Sequence, residues 1–195
     1  FGQFQRDLAD FDASTLVEPI KDFHNTAQRL ENFRRSLEKN ASGRSGNAEK
    51  EIKFVLERSE LCRYIVDRIK SGKLPLRVTH NDTKLNNIMI DDKTGEGICI
   101  IDLDTVMPGS ALYDFGDSIR FGASSAAEDE TELSKVYMRE EMFEAYTDGF
   151  LSTVGESLTD DELGDLPMGA IIITLETGIR FLTDYIDGDV YFRTE

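Results

Sequence analysis

The chain has 195 residues, 39% hydrophobic and 31% charged, the balance of a globular chain with room for one sizeable core. Its 38 acids against 22 bases leave a net charge of −16, which argues against a nucleic-acid surface, since phosphate contacts need a basic face. No apolar run is expected to cross a bilayer and no basic-then-apolar leader is visible, so neither membrane nor nucleic acid is an expected partner. The two cysteines, Cys62 and Cys99, each lie in an apolar stretch and are expected as reduced core residues of a cytoplasmic protein.

Phe1, Phe4, Leu8 and Phe11 recur at helical spacing, so the chain is expected to open on an amphipathic helix that Pro19 ends. Asn25 and Thr26 can cap a second helix with Leu30, Phe33 and Leu37 on its inner face. After the Gly/Ser/Asn loop Asn40–Asn47, one long helix is expected from about Ile52 to Ile69, ended by Ser71-Gly72 and Pro75. Three short β-branched runs follow, Leu76–Thr79, Ile88–Ile90 and Ile98–Asp102, the last two joined by the turn "DDKTGEG". The pattern then returns to helix over Tyr113–Phe121, Lys135–Ser152 and the apolar Met168–Ile186, with Gly188 as a stop. Thr159 and Glu162 have capping-box spacing. The order implies one α+β domain, mainly helical, with a small β element.

Polar residues concentrate at that β element, in "RVTHNDTKLNNIMID" (Arg77–Asp91). Turn chemistry accounts for one or two of His80, Asn81, Asp82, Asn86 and Asn87, but not for all of them beside an apolar strand. Phosphoryl transfer asks for such a set: one carboxylate to take the acceptor hydroxyl's proton, and an Asn and an Asp to hold Mg²⁺ on the phosphates. In the protein-kinase arrangement the base Asp comes two residues after a His and the Asn five residues further on. Here those positions are His80, Asp82 and Asn87, and Asp102 closes the next strand where the metal-binding Asp is expected.

"THNDTKLNNIMID" followed by "CIIDLDTVMPGSALYDFGDSIRFG" resembles the catalytic region of the aminoglycoside phosphotransferase and choline kinase superfamily, and most closely its N-acetylhexosamine 1-kinase group. "DFHNT" and "RFLTDY-x-x-GDVYF" extend the resemblance over most of the chain. One departure is Asn81 where the superfamily carries Gly; Asn tolerates left-handed backbone better than most residues. The resemblance implies the C-terminal lobe of the protein-kinase-like fold for residues 1–195, with the N-terminal nucleotide-binding lobe absent from the chain. It implies Asp82 as catalytic base, Asn87 and Asp102 as metal ligands, and Asp104 as a further ligand or a turn residue. Lys84 is placed to touch a phosphate or to face water, and Asn86 to satisfy the loop or touch the acceptor. His80 and Asp114 would brace the catalytic loop. Arg180, Asp184 and Tyr185 would meet the acceptor, 180 and 184 as an i,i+4 pair, with His24 either facing the sugar or capping a helix.

The implied cofactors are Mg²⁺ and ATP as phosphate donor, and the implied substrate an N-acetylhexosamine phosphorylated at its anomeric hydroxyl. A chain without the N-terminal lobe is expected to transfer little phosphate alone. An aminoglycoside, choline or other small hydroxyl acceptor is the alternative, weakly favoured by the net charge, although the absence of Trp speaks against an aromatic choline cage. A catalytically silent binding domain is a third reading, against which the intact Asp82, Asn87 and Asp102 count.

Overall fold

A computed structural model describes residues 1–192. The helices are α1 (Gly2–Asp7), α2 (Thr26–Lys39), α3 (Glu49–Leu56), α4 (Tyr64–Lys70), α5 (Ala111–Gly122), α6 (Glu140–Val154) and α7 (Asp160–Asp187). Four short strands lie between α4 and α5: β1 (Arg77–Thr79), β2 (Ile88–Ile90), β3 (Gly97–Ile100) and β4 (Met107–Gly109). The fold is α+β and mostly helical.

The β element is two antiparallel pairs rather than one sheet. β2 pairs β3, and β1 pairs β4, a strand at "MPG" whose proline hid it from the sequence pattern. β4 lies directly against β1 because Gly109 has no side chain; a Cβ there would overlap the Thr79 hydroxyl.

The architecture turns on α7. Thr159 and Glu162 form the expected capping box, and the Glu162 carboxylate also takes two hydrogen bonds from Arg77, at 2.6 and 2.7 Å. This fully buried carboxylate ties the start of α7 to β1. Pro167 sits inside the helix, which runs through it to Gly188, the αL cap. α5 crosses α7 at glycines: a Cβ on Gly116 would overlap the Gly169 carbonyl, and one on Gly169 would overlap the Leu112 carbonyl. Backbones therefore meet, and Leu112, Phe115, Ile172 and Ile173 close the main core around them. A second cluster packs Leu30 and Phe33 of α2 against Leu175, Ile179 and Ile186 of α7.

Several expectations are corrected. α7 is long and apolar enough, by length and composition, to cross a bilayer, which the sequence reading missed. Here it is the core helix, and its Glu176 and Asp184 are buried and hydrogen-bonded. The single helix expected over residues 52–69 is two, α3 and α4, separated by turns and a short 3₁₀ segment at Leu61–Arg63. Charged residues through "ERSEL" allow the break while Val55, Cys62 and Ile65 still face inward. α1 ends at Asp7, leaving Phe11 half exposed, and the helix expected from Lys135 begins at Glu140. Cys62 is buried, but Cys99 lies exposed on β3, because a lone two-stranded ribbon has no covered face here.

Candidate active site

The loop from Thr79 to Asn87 is fixed from below. Asp114, on the first turn of α5 and wholly buried, accepts the His80 N–H at 3.0 Å, the Asn81 N–H at 2.7 Å and the Gln5 side-chain amide at 2.8 Å. Its own backbone carbonyl accepts the Thr83 hydroxyl at 2.6 Å. Burial pushes the Asp114 carboxyl upward, and the three N–H donors pull part of the way back.

His80 is equally enclosed. Its Nε2 donates to the Ile101 carbonyl at 3.0 Å, its Nδ1 accepts the Asp82 N–H at 3.3 Å, and its carbonyl accepts the Thr105 hydroxyl at 2.7 Å. Phe1 and Phe4 stand edge-on to the ring, which is what the first two aromatics of the opening helix cover. The ring thus locks the 79–87 loop to the end of β3.

Asn81 has φ 66°, the left-handed region, and is almost fully buried. Its side chain donates to the Thr79 and Thr105 carbonyls at 3.2 and 2.9 Å and accepts the Thr79 hydroxyl at 2.9 Å. The residue that departs from the superfamily's Gly therefore adopts Gly-like backbone and adds a cross-link from the loop to the segment after β3.

Beyond Asn81 the loop opens. The Asp82 side chain is 27% exposed; it accepts the Asn87 side-chain amide at 3.1 Å, and the Lys84 ammonium stands 3.6 Å from its other oxygen. Asn87 also donates to the Asp82 carbonyl at 2.8 Å, so its amide nitrogen is committed while its oxygen has no hydrogen-bond donor among the described residues. Asp102 reaches this loop through the β2–β3 hairpin, because Ile88 pairs with Ile100 and the Ile101 N–H donates to the Asn87 carbonyl at 3.0 Å. Asp102 and Asp104 are both exposed, and Asp102 is held at φ 59°, a conformation that turns the chain out of the strand. Asn86 is exposed.

The second group of expected residues separates. The pair expected between Arg180 and Asp184 does not form. Asp184 is buried and accepts three backbone N–H groups, from Val190 and Tyr191 at 3.0 and 2.7 Å and from Phe192 at 2.9 Å. Its carboxylate ties down the segment after α7. Tyr185 packs beside the second core, with the Arg44 guanidinium 5.1 Å from its ring centre. The Arg180 guanidinium instead lies between aromatic rings, 5.8 Å from that of Phe23 and 5.6 Å from that of Phe192.

His24 is a bridge. Its Nδ1 lies 2.8 Å from a Glu176 oxygen and its Nε2 2.8 Å from the Asn81 carbonyl, while Asn25 does the capping of α2. With both ring nitrogens engaged and 7% of the side chain exposed, His24 links α7 to the loop. Glu176, Gln5, Thr83 and Thr105 were missed in the sequence. Single polar residues inside apolar or turn-rich stretches carry no spacing signal of their own.

Among the described residues no cluster of three or more His, Cys, Asp or Glu side chains forms a metal cage. Mg²⁺ held on nucleotide phosphates does not need one; it uses one or two carboxylates and keeps its remaining positions for phosphate and water. The exposed Asp102 and the free oxygen of Asn87 are hard donors of that kind, so the residues present fit the ion. The chain belongs to the phosphotransferase enzyme family, whose sequence model matches residues 1–144, a span that contains α1 to β4, α5 and the whole catalytic loop. That places it in the aminoglycoside phosphotransferase and choline kinase superfamily, with a kinase-type, phosphate-transferring activity.

Proposed function

We propose that the chain is the catalytic lobe of an ATP- and Mg²⁺-dependent kinase that phosphorylates a small hydroxyl-bearing molecule, the anomeric hydroxyl of an N-acetylhexosamine being the best candidate. The observation that carries the reading is the join between Asp82 and Asn87: one amide fixes the orientation of a half-exposed carboxylate while its oxygen remains for a cation. Asp82 then orients the acceptor hydroxyl and takes its proton. Asn87 and Asp102 would hold Mg²⁺, with Asp104 as a further carboxylate for a second ion. When bound, Mg²⁺ neutralises charge on the transferring phosphate. Lys84, beside Asp82, is placed to meet a phosphate oxygen. In this reading a β-rich lobe outside these residues completes the nucleotide contacts, and the protein works in the cytoplasm.

The acceptor end is built from Arg180. Its guanidinium lies over Phe23, the neighbour of His24, and His24 touches the carbonyl next to Asp82. Asp184 supports recognition indirectly by anchoring the turn that puts Phe192 against Arg180. A planar guanidinium with aromatic rings suits the hydroxyls and acetamide of an amino sugar. A cationic acceptor is favoured by one observation only, the net charge of −16.

The test is ADP release by the full-length protein against N-acetylhexosamines, aminoglycosides and choline. Turnover with N-acetylhexosamines is expected to fall 10²–10⁴-fold in Asp82→Asn. Near-normal turnover of that variant would remove Asp82 from the role of base, and turnover with cationic acceptors alone would replace the sugar.

A further inference from the structure

Both nitrogens of His24 face acceptors of hydrogen bonds: a carboxylate oxygen of Glu176 and a backbone carbonyl, each at 2.8 Å. A neutral imidazole carries one N–H and satisfies one of them; only the imidazolium satisfies both. The ring has little room to turn, since it lies between Phe23 and Tyr113, at 4.7 and 5.0 Å between ring centres. Glu176 is itself held, its second oxygen accepting the Thr26 hydroxyl at 2.5 Å. The far end of the bridge is Asn81, whose N–H is fixed by Asp114 and which immediately precedes Asp82.

From this geometry we infer that His24 is a positioning residue for phosphoryl transfer, an imidazolium strut between α7 and the catalytic loop whose loss of a proton releases the Asn81 carbonyl. The inference rests on Asp82 being the base. The groups around the strut agree with it. Glu176 faces it from α7, and Asp117 and Tyr113 from α5, while the cation Arg29 of α2 lies near Glu176. Burial alone would lower the His24 pKa, but the charge and hydrogen bond of Glu176, the Asn81 carbonyl and Asp117 raise it overall. Tyr113 does not compete for the proton in this range, because burial pushes its phenol far above the usual value. A folded-state pKa above the unfolded one stabilises the fold fully below the unfolded value near 6.5, and that stability is lost as pH rises through the folded pKa.

The strut is tested in full-length protein by ¹⁵N-histidine NMR, with His24 assigned by its disappearance in His24→Gln. At pH 7 both His24 nitrogens are expected to be protonated, and the backbone amides of Asn81 and Asp82 should shift with the same midpoint as the ring. In Glu176→Gln that midpoint moves to lower pH. The alkaline limb of kcat for whichever acceptor turns over moves with it, while KM for that acceptor changes little. His24→Gln should lose kcat on the order of 10–100-fold. A neutral His24 ring at pH 7, amides unmoved across its titration, or a kcat profile unchanged by Glu176→Gln would each overturn the inference. The wild-type titration requires no variant to fold. If no acceptor is phosphorylated at all, the kinase reading fails, and the amide titration still decides whether His24 sets the loop.

Discussion

The two halves of the loop from Thr79 to Asn87 differ in kind. From Thr79 to Asn81, with Thr83, every residue is buried, and the polar groups described there find partners on α5, after β3, at His24 or within the loop. Asp82, Lys84, Asn86, Asp102 and Asp104 are partly or fully exposed, and what order they have comes from single contacts. The first half resembles a core and the second a set of tools mounted on it. Activity and stability should therefore come apart when the two are mutated separately, because buried polar networks are costly to break and exposed side chains are not.

The largest expected effect comes from the buried half. Asp114→Ala leaves the His80 and Asn81 N–H groups and the Gln5 amide without their acceptor, each worth about 1–3 kcal/mol when buried unsatisfied. Chemical denaturation should show a loss of about 3 kcal/mol or more, with activity falling alongside; a loss under about 1 kcal/mol would erase the contrast. Asp82→Asn is the converse. It should remove turnover as described above yet move the unfolding free energy by less than about 1 kcal/mol, since the carboxylate is partly exposed and has one hydrogen bond. A strongly destabilised Asp82→Asn would mean that the tool is also a brace.

Asn81→Gly sharpens the boundary. Gly suits φ 66° and relieves the backbone, but the variant gives up the side-chain bonds to the Thr79 and Thr105 carbonyls. A net loss of about 1–2 kcal/mol is expected, measured by denaturant midpoint. A gain would show that the backbone angle outweighs the cross-link. The smallest effect separates the two cysteines. Cys99→Ser should change stability by less than about 0.5 kcal/mol. In the folded protein a thiol reagent near neutral pH should modify Cys99 and spare Cys62, whose thiol burial pushes up to about 11.

Much of this was legible beforehand, for reasons that can be named. Ile88–Ile90 was read with its observed bounds because a β-branched run flanked by turn residues leaves few alternatives. Thr159 with Glu162 was legible as a capping box, since it is closed by two neighbours in sequence, although the helix it starts, expected from Met168, begins at Asp160. His80, Asp82, Asn87 and Asp102 could be singled out because phosphoryl transfer asks for their spacing along one continuous stretch. Arg180, Asp184 and Tyr185 were grouped by resemblance, 180 and 184 also by helical spacing, and spacing alone did not foretell that 180 and 184 take different partners. Asp184 is claimed by backbone N–H groups that follow the helix, and Tyr185 by a core on its other face. Glu176 escaped because its partners, His24 and Thr26, lie some 150 residues earlier.

The sequence by itself determined the local chemistry: which residue caps which helix, where the apolar stripes fall, and the order of the polar set between β1 and α5. Those features depend on contacts within a turn or two, which residue spacing encodes directly. Only the tertiary structure decided which polar side chain is spent as support and which is left for a ligand. His24 and Asp114 are support because donors and acceptors distant in sequence reach them first, and Asp184 because the chain folds back over it after α7; a buried polar group takes whatever partner the packing brings.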